Sequence, residues 1–424
     1  MKFDGKKLLV LGSNVSSVDI IKYARSNGAY TVETDFLPKE KSVAKYHCDE
    51  SLLISTADTE NLCDYVVKNH VDGVLAGISE FNLLQAMKVC RRCGLPFYCD
   101  ENQWNSIEDK GKFRRLCMKY AVPCPQTYYV GNRPEDCSGI RFPAIVKPTD
   151  SSASVGVSIC ENKTQYQHAV LEALAKSKSA SVIVEEFFCG DEFTAHYSIV
   201  DGVPYLVSVD NRYSVSVNEG TVTTIPIARI YPSSFLPEYR KQVNDSVMEL
   251  CSSLNLKAGV VFVQGLYNKE KDKFCVFEAG LRSAGEAPYR FLEYVNGENY
   301  IHNLVDYALT GQTTDYDPSK EDPEIKGKSC AVVSFVSKGG VVGRIFGYDE
   351  IRGKVPTIVC SECRYNEGDT IPSGNTLHQI VLRFVLVCDS KEKLKEDIGF
   401  INNNVQVLDL DGNDMCLKFN PSVL

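Results

Sequence analysis

Strand and helix alternate almost without interruption through the first hundred residues, and few architectures accept that pattern. Residues 7–11 read as an apolar strand. Residues 16–27 carry Val18, Ile21 and Ala24 on one helical face and stop at Asn27-Gly28. A second strand at 30–34 ends at Asp35, a helix follows at 59–69, and a buried strand at 73–76. A helix at 79–93 is stopped by Gly94, and 96–98 reads as a short strand. The expectation is a parallel, doubly wound sheet. Such a unit can hold a dinucleotide when GxGxxG follows its first strand. Here that turn reads Gly12-Ser-Asn-Val-Ser-Ser, with one glycine of three, and Asp35 is a weak companion signal.

From about 140 the pattern changes to short alternating strands, at 142–147, 182–188, 193–200, 203–210, 258–266 and 273–278. One clear helix, 239–254, lies among them, so the region reads as antiparallel-rich α+β. The polar stretch 311–328 is the best linker candidate. Beyond it come further short strands and a helix at about 391–400, a small C-terminal α+β domain.

Composition narrows the function classes. Charged residues are 24% of the chain and the net charge is −9, with no basic stripe beyond the short run from Lys110 to Arg115. Nucleic-acid binding is therefore not expected. No apolar run reaches the ~18 residues of a membrane span. The apolar stretch Leu8-Leu-Val-Leu is too short for a signal-peptide core, so the expected location is the cytoplasm. The 17 cysteines are scattered through strands and helices and read as reduced thiols. The CxxC pairs Cys90/Cys93 and Cys360/Cys363 would need to meet in space to hold zinc.

Four local patterns carry chemistry. Phe142-Pro-Ala-Ile-Val-Lys147-Pro148 is a strand ending in a lysine, followed by a loop of small residues through Ser151, Ser152, Ser154 and Gly156. Small residues let backbone N–H groups approach phosphate oxygens, and the lysine adds a point charge. Ser181-Val-Ile-Val-Glu185-Glu186-Phe187-Phe188 is a strand whose edge can serve an adenine, and Glu192 just beyond can hold ribose hydroxyls. Gln264 and Glu278 each end an apolar strand, at a hairpin's separation, and offer oxygen ligands of the kind magnesium takes. Arg282, four residues later, can grip a phosphoryl oxygen. Finally, Asp109-Lys110 opens a helix that leads to Val122-Pro-Cys-Pro125.

In order and spacing these patterns resemble the ATP-grasp superfamily along essentially the whole chain. The resemblance implies an N-terminal doubly wound α/β domain (1–108), a central ATP-grasp domain (109–315, lid about 125–188) and a small C-terminal α+β domain (329–424). It implies ATP binding by Lys110, Lys147, Ser151, Ser152, Ser154, Gly156, Glu185, Glu186, Phe187, Phe188 and Glu192. Gln264 and Glu278 are the implied magnesium ligands, with manganese as an alternative ion, and Arg282 the implied catalytic arginine. The reaction implied is carboxylate–amine ligation through an acyl phosphate, acting on a small carboxylate and an amine. A homodimer is the expected assembly.

The segment Glu278-x-x-x-Arg282-x-x-Gly285 is similar to the L-amino acid ligase branch, where the arginine and glycine help hold substrate. That branch reads its substrates with a Glu-x-x-His-x-x-Pro segment. The matching stretch here is Pro226-Ile-Ala-Arg229-Ile-Tyr-Pro232, and Arg229 is expected to favour an extra anionic group on one substrate. Three positions depart from the family pattern: the phosphate loop is serine-rich, Gly280 stands where asparagine is common, and Gln264 is uncharged. Competing readings are a ligase of the biotin carboxylase, carbamoyl-phosphate synthetase or glycinamide ribonucleotide synthetase type, and a nucleotide binder without catalysis.

Overall fold

In a computed structural model, all residues are described except 133–137, 152–154, 218–223, 314 and 375. The N-terminal strands Lys7–Leu11, Tyr30–Thr34, Glu50–Leu52 and Gly73–Ala76 form a four-stranded sheet whose paired strands all run parallel. Its helices start where the sequence places caps. Asn14 accepts from the Ser17 N–H before Val15–Ser26, and Ser79 accepts from the Asn82 N–H before Glu80–Cys93. Residues 96–98 are not a strand; Phe97 and Tyr98 stack on each other, and the Tyr98 hydroxyl donates to the Leu281 carbonyl at 2.8 Å. That short apolar run packs toward Leu281 instead of joining a ladder.

The dinucleotide signals have local explanations. Asp35 accepts from the Leu37 N–H at 2.6 Å and from Ser42 Oγ at 2.8 Å, and sits 3.3 Å from the buried Lys45 ammonium. Two residues earlier, in strand Tyr30–Thr34, Glu33 is fully buried. Burial, and then the neighbouring Asp35, push its carboxyl up to about 8 against the pull of Lys45. The folded chain thus holds a proton that the unfolded chain releases above the ordinary value of 4.5. This contribution is fully present below that value and is lost as pH rises through about 8, with a slope of up to ~1.4 kcal/mol per pH unit. Glu33→Gln should flatten that fall; urea unfolding of both chains from about pH 5.5 to about pH 8.5 reads it. Parallel curves would remove Glu33 as the cause.

The centre of the molecule is a ten-stranded sheet. Its main path runs Lys273–Gly280, Ala258–Asn268, Asp191–Val200, Asn211–Val215, Ile225–Tyr231, Ser329–Ser337, Ile380–Cys388 and Ile358–Cys363, all antiparallel. The C-terminal strands therefore extend the central sheet, joining it where Ala228 pairs with Val333. The polar stretch before them is packed: Tyr316 is buried, and its hydroxyl donates to Ser198 Oγ at 3.0 Å and Glu321 at 2.7 Å. The expected helix at 239–254 runs from Leu236 to Ser253 with one wide turn at Arg240–Asn244.

A smaller four-stranded sheet stands apart with its own core. It orders Thr127–Gly131, Val182–Glu186, Ala144–Pro148 and Ser158–Cys160. Helix Lys163–Lys176 covers one face through Tyr166, Ala169, Val170 and Ala173. The larger and smaller sheets leave a cleft between them. All described cysteines are free thiols, and no described helix is long and apolar enough to cross a membrane.

Candidate functional site

The cleft between the two sheets contains a cavity of about 310 Å³. Lys110, Lys147, Ser151, Glu185, Glu186, Phe187, Phe188, Glu192, Gln264 and Glu278 all line it. Sequence positions spread over 168 residues are thus brought to one surface. Ile145, Val157, Ile159, Leu266 and Phe277 add apolar walls. Of the remaining sequence candidates, Ser152 and Ser154 lie outside the described residues.

Each side chain is placed by its strand. Lys147 ends strand Ala144–Pro148, which pairs with Val182–Glu186 so that Ile145 faces Glu185 and Lys147 faces Ile183. The Lys147 ammonium lies 2.7 Å from Glu185 Oε2, and the other carboxylate oxygen accepts from Arg114 Nε at 2.6 Å. Burial works against the Glu185 charge, but Lys147 and Arg114 outweigh it and hold the carboxyl below its usual range. Arg114 also donates from Nη1 to the Val276 carbonyl at 2.8 Å. One buried triad therefore ties the helix, the small sheet and the central sheet together.

Lys110 is the first residue of helix Lys110–Lys119, capped by Asp109, whose side chain accepts from the Lys112 N–H at 2.7 Å. Its ammonium donates to the Ser151 carbonyl at 2.5 Å and lies 3.9 Å from Glu278 Oε1. The loop after Lys147 is held at Asp150, which accepts from Ser177 Oγ and from the Lys178 and Ser179 N–H groups. Gly156 has φ +75°, and a Cβ there would meet Pro148 Cγ at 2.9 Å, so this turn requires glycine.

Gln264 and Glu278 are direct partners across their hairpin. Gln264 Nε2 approaches Thr194 Oγ1 at 3.4 Å, which leaves its amide oxygen without that partner. Glu278 is only half-buried. Glu192 pairs with Arg212 and accepts from Ser214 Oγ at 3.2 Å. Arg114 and Arg212 both went unnoticed in the sequence. Arg114 sits among the apolar Phe113 and Cys117 in its helix, the one local sign of a buried arginine.

The substrate-side residues differ from expectation. Arg229 is no open anion receptor: it is 2% exposed, paired with Asp210 at 2.7 Å and with Glu286 at 3.2 Å, and donates to Thr194 Oγ1. Burial opposes the charge of Glu286, but Arg229, Arg383 and Arg212 hold its carboxyl down to about 2. A guanidinium with two carboxylate partners offers no net charge to a substrate anion. Arg282 lies beside the cavity, not in its lining. Its Nη2 and Nε donate to Glu80 Oε1 at 2.6 and 3.2 Å, and its guanidinium carbon lies 4.8 Å from the Phe262 ring centre. The Gly285 carbonyl accepts from Arg383 Nη1 at 2.8 Å.

Among the described residues, no three His, Cys, Asp or Glu side chains are grouped to hold a metal unaided. Cys90 is buried with its thiol toward the Val74 carbonyl, so the zinc reading of the CxxC pairs falls.

Residues 140–288 match the family model described as an ATP-grasp domain. The chain has the ATP-grasp fold. The solved phosphoribosylglycinamide synthetase from Anaerococcus prevotii superposes with TM-score 0.76 at 18% identity, covering 95% of this chain and 99% of that one. The L-amino acid ligase from Bacillus licheniformis gives TM-score 0.78 at 16% identity, covering 96% and 99%. In sequence, the carbamoyl phosphate synthase large chain of Clostridium botulinum (strain Loch Maree / Type A3) is 20% identical over 440 residues, 92% of this chain and 40% of that one. The chain thus spans about two fifths of the length of that curated relative.

Proposed function

We propose that this chain is an ATP-dependent carboxylate–amine ligase. The γ-phosphoryl group of ATP passes to a carboxylate oxygen, giving ADP and an acyl phosphate. An amine then attacks the acyl carbon, and phosphate leaves. The observation that carries this reading is the single cavity on which two lysines, a facing Gln/Glu pair and apolar walls converge.

In this reading Ile145, Ile159, Leu266 and Phe277 sandwich the base, the edge at Glu186–Phe188 meets its polar rim, and Glu192 faces the sugar. Lys110 and Lys147 hold phosphate oxygens, with Ser151, Ser152, Ser154 and Gly156 as the covering loop. Bringing a carboxylate to a phosphoryl group joins two anions, which repel by about 4 kcal/mol at 4 Å and an effective dielectric of 20. These cations offset that repulsion. Gln264 and Glu278 fit magnesium, because they offer oxygen only and leave most positions to phosphate and water. When bound, magnesium (or manganese) supplies charge neutralisation at the phosphates. Arg282 and Gly285 belong to the acyl-phosphate end, where Arg282 exchanges Glu80 for a phosphoryl oxygen.

Small carboxylate and amine substrates and a homodimeric assembly are part of the proposal. So are the division at 1–108, 109–315 and 329–424, and a reducing, cytoplasmic setting that suits its free thiols.

The test is release of ADP and phosphate from Mg-ATP against amino acids, other small carboxylates and bicarbonate, singly and in pairs with amines. Release that requires one acid, with a new C–N bond only when the amine is added, is expected. Turnover with bicarbonate and no other acid would move the assignment to the carboxylase-like ligases. Nucleotide binding with no turnover across the panel would overturn the ligase reading.

A further inference from the structure

Glu278 and position 280 lie two apart on one strand, so their side chains point to the same face. Position 280 is glycine, and its surroundings give the reason. A Cβ there would meet the Phe262 ring at 2.5 and 2.7 Å, and Glu108 Oε1 at 3.4 Å. The space an amide side chain would need is already filled, in part by a carboxylate from another element.

Glu108 is the last residue of helix Glu101–Glu108, just before the Asp109-Lys110 helix start. Its Oε1 is shut off from solvent and has no hydrogen-bond partner among the described residues. Its charged neighbours are Glu80, Glu278, Arg282 and Lys110. Both cations are committed elsewhere: the Arg282 fork goes to Glu80, and Lys110 goes to the Ser151 carbonyl and Glu278. A sheltered carboxyl group beside two carboxylates, without a counter-ion of its own, is relieved either by taking up a proton or by a cation that joins it.

We infer that Glu108 supplies the oxygen ligand that Gly280 lacks, so that a divalent cation is held jointly by Glu108 and Glu278. The inference rests on the nucleotide-site reading above. It adds a protein ligand, from a helix and not from the metal-bearing strand. It also accounts for Gly280: asparagine would collide with Phe262 and displace Glu108.

The test is titration of the intact chain with Mn²⁺ in the presence of a non-hydrolysable ATP analogue, followed by electron paramagnetic resonance of free Mn²⁺. Binding of a fluorescent, non-hydrolysable ATP analogue without metal is measured in parallel. The native chain should take two ions. Glu108→Gln should lose one ion, or weaken it about tenfold or more, with metal-free nucleotide binding unchanged. Glu108→Asp, which keeps the charge, should restore part of it. An unchanged titration for Glu108→Gln, whether the native chain binds one ion or two, would overturn the Glu108 assignment alone. Failure of the native chain to bind nucleotide would overturn the site reading, and this inference with it. A circular dichroism melt of each variant separates these results from misfolding.

Discussion

Glu278→Gln should lower ATP turnover by about 10²–10³-fold, the usual cost of removing one electrostatic contact to a charged transition state. Stability should move by no more than about 0.5 kcal/mol. The two effects separate because of where Glu278 sits. It is half-buried on the cavity wall, and its nearest cation, Lys110, is 3.9 Å away and already donates to the Ser151 carbonyl. Little folding energy rests on so loose a pair. The carboxylate charge does matter when phosphates and a divalent ion arrive together, since an amide neutralises less of the ion. Saturation kinetics with Mg-ATP, beside urea unfolding of the same preparation, read both effects. Turnover within tenfold of the native chain would remove Glu278 from the metal site. A large loss of stability would show instead that the Lys110–Glu278 contact is structural.

Much of the cavity was legible because its residues sit at the ends of short apolar strands with local signatures. Lys147 closes a strand before a small-residue loop, Glu185-Glu-Phe-Phe188 closes another, and Gln264 and Glu278 end a hairpin. A strand end is fixed by nearby residues, so one stretch of sequence is enough to place it. Partners are another matter. Glu185 reads as part of an edge, yet its carboxylate is satisfied by Arg114, 71 residues earlier. Arg229 reads as a lone cation, yet Asp210 and Glu286 come from other strands and turns to neutralise it. Arg282 reads as free for a phosphoryl group, yet Glu80 reaches it from the N-terminal helix across 202 residues. Pairings of that kind are tertiary facts with no local period.

The same distinction governs the fold. The parallel N-terminal unit followed from alternation, because each βαβ step constrains its neighbour. The join between Ile225–Tyr231 and Ser329–Ser337 did not, because their pairing crosses about a hundred residues that include a two-stranded hairpin and the helices Leu236–Ser253, Tyr289–Asn296 and Tyr300–Thr310. Residues 96–98 have strand composition, but they pair with no strand, and the aromatics stack on each other instead.

Glu185→Ala should destabilise the chain by ~3–5 kcal/mol, the cost of leaving buried charge without its partner. Arg114 and Glu185 are each 1% exposed at the side chain and Lys147 is 9% exposed, so solvent cannot replace the lost carboxylate. Replacing the pair together, Glu185→Leu with Arg114→Met, should recover only the part of that loss that comes from the stranded guanidinium, because the Lys147 ammonium still loses its partner. The loss should also depend on pH. The folded Glu185 carboxyl lies below its usual range, so its contribution is present above the unfolded value near 4.5 and is lost as pH falls through the folded one. The gap between native and Glu185→Ala chains should therefore close in acid. Because several cores are present, the change belongs to the unit that opens first and not to one global transition. Hydrogen exchange at Val182–Glu186 and at the Val276 amide, which donates to the Pro123 carbonyl at 2.7 Å, locates it. If those amides keep their protection in Glu185→Ala, the triad does not hold the sheets together, and Lys147 is set for the cavity by its strand alone.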